Sequence, residues 1–452
     1  MSGGPAKPAD GPEDRPSRER AAPRGRVEDR TDPDGHHACT AMAIATMRRN
    51  DRGAYTVPTA GLYPYQWNWD SAFAALGFAR FDLDRAWREL ETLMAAQWPD
   101  GMVPHILFHA PDDSYFPGPD VWDAPGPVPS SGITQPPVAM TVLRRLHAVD
   151  PGADRVGPLF DGMVRWAAWF LRHRADQGAI FVTHPWESGR DNAPDWDGAM
   201  AGIDPVGIGP YTRRDTSHVD PAMRPTTADY DRYVWLVQWG RARGWDAEAM
   251  RGRQPFRVAE PTTTFILLRG LRDLVELGRA LGRDVADLTG MACAVEAGAA
   301  TLWNPETACY DARDVRSGFF AGAVTSAAFL CWYAGVGRPE MLDHLRRVLD
   351  AAPHGVPSLD PADPRFDARR YWRGPVWPFM NQMIGTGLSE AGLPEGARLR
   401  ATTRALLSAS GMAEYYDPSD GAPMGGLAFT WPAAVWLSWA GDVAAPAPGG
   451  DS

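Results

Sequence analysis

Five stretches of the chain between them gather tryptophan, tyrosine, histidine, arginine and carboxylates: 63–70 (YPYQWNWD), 97–109 (QWPDGMVPHILFH), 183–197 (THPWESGRDNAPDWD), 370–377 (RYWRGPVW) and 413–418 (AEYYDP). A bare connector has no use for such side chains, and loops of this kind usually carry function. Aromatic faces fit the apolar C–H faces of pyranose rings, while neighbouring Asp, Gln and Arg satisfy the hydroxyls. Inverting hydrolysis of a glycoside needs an acid to protonate the leaving oxygen and, roughly 6.5–9.5 Å away, a base to activate water. The two must therefore come from separate segments.

Four carboxylates compete for those roles. Asp191 lies in a Gly-Arg-Asp-Asn turn after Trp186 and Glu187, where partial burial would keep it protonated; capping of a following turn is its competing reading. Glu414, before Tyr415 and Tyr416, could hold the water or sit in a surface salt bridge. Asp70 follows Trp69 and could be a helix N-cap, and Glu187 could pair with Arg190. Local reasoning leaves these alternatives open. Trp67, Trp69, Trp372 and Trp377 each stand near Asp or Arg at an expected loop-to-helix junction, with core filling as the alternative for each. The run RPTTADY places Arg224 and Tyr230 in one short helix entry; a guanidinium fork matches a carboxylate bidentately, so the pair suits an acidic aglycone or a structural ion pair.

The elements that must position these residues read as helical. Apolar residues recur at three and four spacing between Pro, Gly and Asp punctuation, and strand-like alternation is rare. Helices are expected over 41–49, 69–81, 83–97, 134–149, 156–174, 228–243, 261–281, 285–303, 321–335, 339–349, 375–389, 394–408 and 427–439. Paired helices in that number can close into an (α/α)6 barrel; a repeat solenoid is the alternative, weakened by the lack of a fixed-period repeat. Residues 1–36 are rich in Pro, Gly and charge without an aromatic, which predicts a disordered leader, and 442–452 a similar tail, leaving 37–441 as one all-α domain.

Composition narrows the partners. The chain has 452 residues, 44% of them hydrophobic and 22% charged, with a net charge of -11. That acidity argues against nucleic acid or an anionic membrane, both of which demand a basic surface. No apolar run approaches the roughly 18 residues of a spanning helix and the first residues lack the order of a secretory signal, so a cytoplasmic protein is expected. Cys39, Cys293, Cys309 and Cys331 are scattered, which predicts buried thiols without a disulfide or zinc framework. With no glycine-rich phosphate loop and no metal-spaced histidine cluster, no cofactor and no metal are expected. His36, His37 and His184 read as surface or loop residues, and His105 and His109 as orienting neighbours.

Read together, the five segments resemble glycoside hydrolase family 63, in particular its small bacterial members that act on mannosylglycerate and glucosylglycerate. The likeness runs from about residue 55 to 439. It is carried by Tyr63-Pro-Tyr-Gln-Trp-x-Trp-Asp70, Gln97-Trp with Gly101 and Pro104-His105, His184-Pro-Trp-Glu-Ser-Gly-x-Asp191-Asn, Tyr371-Trp-Arg-Gly-Pro-x-Trp377 and Glu414-Tyr-x-Asp-Pro418. The resemblance implies the (α/α)6 barrel and inverting hydrolysis, with Asp191 as general acid and Glu414 as general base. It places the sugar against Trp69, Asp70, Gln135, Trp186, Gly189, Trp372 and Trp377. The glycerate falls against Tyr63, Tyr115, Arg224, Tyr230 and Tyr371, with Gln135 reaching both parts. The implied substrate is a small glycoside with an acidic aglycone, cut to free sugar and glycerate. A broader α-glucosidase acting on disaccharides or glycogen-like ends is the enzymatic rival, a non-catalytic sugar-binding protein the rival of another class, and a homo-oligomer is compatible with either.

Overall fold

Helices dominate the computed structural model, which describes residues 1, 3 and 33–443 apart from 218. Several begin where proline stands in the first turn, at Pro261, Pro339, Pro378 and Pro394. There its missing N–H costs nothing and its fixed φ suits the helix. The helices fall into two kinds. Asn68–Phe78 and Thr430–Val435 are buried on every face, and Pro261–Ala280 and Pro378–Glu390 nearly so. Others bury one stripe: Cys39, Ala43 and Met47 on Pro33–Asn50, and Met341, Leu345, Val348 and Leu349 on Pro339–Ala351. A helix apolar all round must lie inside other helices, and a one-striped helix must lie outside them. Each buried Leu or Met in such a stripe is worth about 1.5–3 kcal/mol.

The packing follows that division. Asn68–Phe78 packs on Val138–Val149, which packs on Pro261–Ala280; that helix meets Cys331–Ala334, which meets Pro378–Glu390, which meets Thr430–Val435, and Thr430–Val435 returns to Asn68–Phe78. The inner elements thus form a closed cycle. Outside it, Leu83–Ala95, Val156–His173, Ala286–Ala300 and Pro394–Ser410 each fold back as the second arm of a hairpin. Pro33–Asn50 packs against Thr430–Val435, so helices from the two ends of the chain are neighbours.

Short strands brace the long loops. A four-stranded antiparallel sheet runs in the order Ala175–Asp176, Ala179–Val182, Val258–Ala259, Arg313–Asp314 and anchors the start of the 183–197 loop, with Val182 opposite Val258. Ala413–Tyr416 pairs with Pro423–Leu427 through a register shift between Met424 and Leu427. Val376 bridges Tyr416 by reciprocal N–H to C=O bonds of 2.8 and 3.0 Å, which ties the 370–377 loop to the same pair.

The all-α expectation is met, with local corrections. The helix expected over 321–335 is only a 3-10 turn at Ala328–Leu330 and the short helix Cys331–Ala334, because residues 321–326 are held extended. Thr325 bridges Leu359, and the Ser326 N–H donates to the Ser358 carbonyl. The expected leader lies outside the described residues except at its end, where the first helix begins at Pro33, and most of the expected tail lies outside them too. Cys39, Cys309 and Cys331 are buried free thiols, but Cys293 is exposed on the outer face of Ala286–Ala300. Among the described residues no helix is long and apolar enough to cross a membrane.

Candidate active site

The ring presents its chemistry at the N-terminal ends of inner helices. Trp69 and Asp70 occupy the first turn of Asn68–Phe78; Gln135 stands just ahead of Val138–Val149, Tyr371 ahead of Pro378–Glu390, and Phe429 and Trp431 flank the start of Thr430–Val435. These ends converge with the 183–197 and 202–226 loops on a cavity of about 740 Å³, counting its open mouth. Its wall brings together Tyr63, Trp69, Asp70, Tyr115, Gln135, Trp186, Gly189, Asp191, Arg224, Tyr230, Tyr371 and Glu414. That is every expected site residue except two. Trp372 and Trp377 are absent from the wall: their indoles stack face to face at 4.0 Å behind Trp69, whose ring lies 6.4 Å from Trp372. They are buried and back the wall from behind Trp69.

Asp191 is aimed by a pinned loop. His184 accepts the Trp186 N–H at Nδ1 (3.0 Å) and donates Nε2–H to the Tyr233 carbonyl (3.0 Å), an arrangement only the neutral ring can make. Burial pushes its pKa down to about 3. His184 is therefore an internal brace and not a surface residue. Glu187 is buried against Arg174, accepting Nη2–H at 2.8 Å, and also accepts from the backbone and hydroxyl of Thr183. Its partner is not Arg190, which donates to Asp195 at 2.8 and 3.1 Å and sits 3.5 Å from Glu260. Glu187 thus holds the loop's base and is spent on structure. Trp196 donates to the Arg190 carbonyl and Tyr233 to the Asp191 carbonyl, both at 2.7 Å. With its backbone fixed, Asp191 keeps its side chain only partly covered, at the cavity. Burial pushes its carboxyl up to about 7, more than the opposing pull of Arg224 brings it down, with Asp215 and Glu414 adding to the rise. A carboxylic acid that holds its proton near neutrality is what a general acid requires.

Gly189 matters for its backbone. It sits at φ +72°, and a Cβ there would stand 2.2 Å from Trp69 Cζ2. An L side chain would strain the turn and push the indole aside. Gly189→Ala is expected to lower kcat/KM about 10²-fold, because a shift of an ångström in a positioning group costs that much. Steady-state kinetics beside a thermal melt check it; wild-type kinetics would mean that Trp69 does not position substrate.

Glu414 is held quite differently. It is fully buried on Ala413–Tyr416 and accepts four hydrogen bonds: from Tyr63 (3.0 Å) and Tyr371 (3.2 Å) at Oε1, and from Arg224 Nη2 (3.2 Å) and the Gly426 N–H (2.9 Å) at Oε2. The register shift in the strand pair turns the Gly426 N–H toward it, a common use of such irregularities. Tyr371 reaches it from a backbone at φ +37°, a strained value for a tyrosine of the kind that collects at functional sites. Arg224 is buried in a partner set of Tyr63 (Nη1 to OH, 2.8 Å) and Glu414, so its nearest anion is a protein carboxylate.

Asp70 is no N-cap, since Trp67 fills that position. Its Oδ1 is buried with no hydrogen-bond partner among the described residues, and burial followed by the charge of Glu414 holds its carboxyl well above the usual range. An orphaned acceptor on a cavity wall is suited to a ligand hydroxyl. Gln135 Oε1 accepts the Trp69 N–H at 3.2 Å, and Tyr230 donates to the Phe116 carbonyl at 3.0 Å. The wall also contains Pro58, Trp67, His105, Phe116, Asp215, Pro225, Phe429 and Trp431, none of them in the expected site set. Asp215 pairs with Arg213 at 2.6 Å, and that guanidinium lies 4.4 Å over the Tyr230 ring.

This arrangement, two carboxyls of opposite surroundings on one aromatic cavity, agrees with the kinship of the chain. A family model described as the mannosylglycerate hydrolase MGH1-like glycoside hydrolase domain matches residues 63–432. The chain belongs to this family. It is therefore a glycoside hydrolase, and each of the expected site residues falls within the matched span. Among its relatives, mannosylglycerate hydrolase MGH2 of Selaginella moellendorffii is 44% identical over 419 residues, 88% of this chain and 86% of that one. The glucosylglycerate hydrolase of Mycolicibacterium hassiacum is 35% identical over 434 residues, 89% and 97% of the two chains. The crystal structure of the family 63 mannosylglycerate hydrolase from Thermus thermophilus, in complex with Tris and D-glycerate, superposes with a TM-score of 0.86 at 41% identity, covering 89% of this chain and 99% of that one.

Proposed function

We propose that this enzyme hydrolyses a glycerate glycoside, glucosylglycerate or mannosylglycerate, to free sugar and glycerate with inversion, on an (α/α)6 barrel. The closed cycle of inner helices with hairpin partners outside supports the barrel. The observation that carries the chemistry is the contrast on one cavity wall between Asp191, raised toward neutrality and free to give a proton, and Glu414, a carboxylate encased in donors on a distant segment. Asp191 protonates the glycosidic oxygen as the C–O bond breaks; Glu414 takes the proton of the water attacking from the opposite face. Trp69, Trp186 and Asp70 bound the sugar, and Arg224 with Tyr63, Tyr115, Tyr230 and Tyr371 bounds the aglycone, where a desolvated carboxylate needs a fixed cation. The relatives named for glycerate glycosides support the choice of aglycone.

The test is incubation with mannosylglycerate, glucosylglycerate, trehalose and maltose, following the released sugar and its anomer by NMR. Release from a glycerate glycoside with the β-anomer appearing first is expected. Equal release from trehalose or maltose would point to a broader α-glucosidase, initial α-anomer would exclude inversion, and binding without release would leave a sugar-binding protein.

A further inference from the structure

As found, Glu414 has no room to act. A carboxylate offers about four lone-pair sites, and all four are taken, by Tyr63, Tyr371, Gly426 and Arg224. A water that is to surrender its proton here needs one of them. The Gly426 N–H is fixed in Pro423–Leu427. Tyr371 is wedged between Trp377 and Tyr415, with ring centres 5.2 and 5.5 Å away, and the Tyr63 and Tyr371 hydroxyls lie 3.3 Å apart. Arg224 is the exchangeable partner. It stands directly after the 3-10 turn Pro221–Met223, at the end of the 202–226 loop, and reaches Glu414 through one nitrogen at 3.2 Å. Its Nε is buried without a hydrogen-bond partner among the described residues, although the guanidinium borders the cavity.

We infer that Arg224 masks the base and that the carboxylate of the substrate's own aglycone removes the mask. This rests on the glycerate reading above. An incoming carboxylate can take Nε and Nη2 together, the paired geometry that a guanidinium edge prefers, whereas Glu414 holds Nη2 alone. Because Nη2 carries two protons, pairing at that edge does not by itself release the base. The guanidinium must swing toward the substrate carboxylate, and as it does the single 3.2 Å bond to Glu414 Oε2 is given up and one lone pair is free for the attacking water. A neutral glycoside fills the same cavity but leaves Arg224 on the base. Arg224 is then a positioning residue that sets specificity in the chemical step as well as in binding.

The experiment uses α-mannosyl and α-glucosyl fluoride, which carry no aglycone carboxylate. In their hydrolysis the C–F bond breaks, fluoride departs with the bonding pair, the water oxygen bonds to the anomeric carbon, and the water's proton passes to Glu414. Wild-type enzyme is expected to turn the better fluoride over slowly, and added D-glycerate to raise kcat about tenfold or more, a fraction of what base catalysis supplies, while glycerol does not. Arg224→Gln is expected to hydrolyse the fluoride faster than wild type without glycerate and to gain nothing from it. If that variant fails to fold, the wild-type pair of measurements decides alone. The inference is overturned if glycerate leaves the wild-type rate unchanged or lowers it, if no fluoride is turned over under either condition, or if a folded Arg224→Gln is slower than wild type. Cleavage of glycerate glycosides without stimulation by glycerate rejects the mask alone; failure to cleave them rejects the proposed function.

Discussion

Asp191→Asn is expected to lower turnover by about 10³–10⁴-fold and, at pH 8, to raise the melting temperature. The first effect follows from the role proposed for Asp191 as proton donor to the leaving oxygen. The second follows from linkage. Burial lifts the Asp191 carboxyl from an ordinary 3.8 to about 7 in the folded chain, so the folded state holds the proton more tightly than the unfolded one. Its contribution is intact below about pH 4, is eroded as pH rises toward 7, and at pH 8 stands as a penalty on the order of a few kcal/mol at most, since the side chain is not wholly covered. Asparagine has no such penalty. Calorimetry from pH 4.5 to 8 should find the variant ahead at the alkaline end with the gap closing toward the acid end. A variant less stable than wild type at pH 8 would refute the raised acid. In the wild type, kcat/KM is expected to fall with rising pH around neutrality as the acid loses its proton.

Glu414→Gln is expected to cost a comparable factor in turnover and to move stability the other way. Its carboxylate is the charge partner of Arg224 and the acceptor of the Gly426 N–H. An amide in its place satisfies the two tyrosines at one end and turns an NH2 toward two donors at the other. That leaves a buried guanidinium without its anion, a loss of about 3–5 kcal/mol. Denaturant unfolding at pH 7 checks it, and a variant as stable as wild type would mean that Arg224 has another anion. The two carboxylates are thus expected to move stability in opposite directions, because one is left short of partners and the other is saturated with them.

Much of this was legible in the sequence where the signal is local. Long amphipathic or proline-started helices such as Pro261–Ala280 and Pro394–Ser410 fall close to their expected bounds. What periodicity could not supply was pairing between distant segments. The apolar run 321–335 is buried in an extended form as well as in a helix, and only its ladder to Ser358 and Leu359 decides which. The short strands Val258–Ala259 and Arg313–Asp314 are too brief to alternate visibly.

The site divides similarly. The resemblance singled out Asp191 and Glu414 among four carboxylates, and the structure gives a physical account of Glu187's exclusion: Arg174 and Thr183 occupy it. Trp372 and Trp377 look like Trp69 in sequence, each beside polar residues, yet their rings stack on each other behind the wall. Phe429 and Trp431 lay hidden in an expected helix over 427–439, where aromatic residues read as core. In fact the helix starts only at Thr430, and its first turn opens on the cavity. Asp215 carried no signal beyond its neighbour Arg213, since nothing local says that the 202–226 loop folds over the pocket.

The closure of the inner cycle between Asn68–Phe78 and Thr430–Val435 has a consequence for how the cavity is completed during synthesis. Trp69 and Asp70 emerge from the ribosome early, whereas Glu414 and Trp431 emerge more than three hundred residues later. The hollow between them has no floor until Thr430–Val435 docks beside Asn68–Phe78. A nascent or clipped polypeptide lacking that final segment is accordingly expected to be inert and not merely a weakened catalyst.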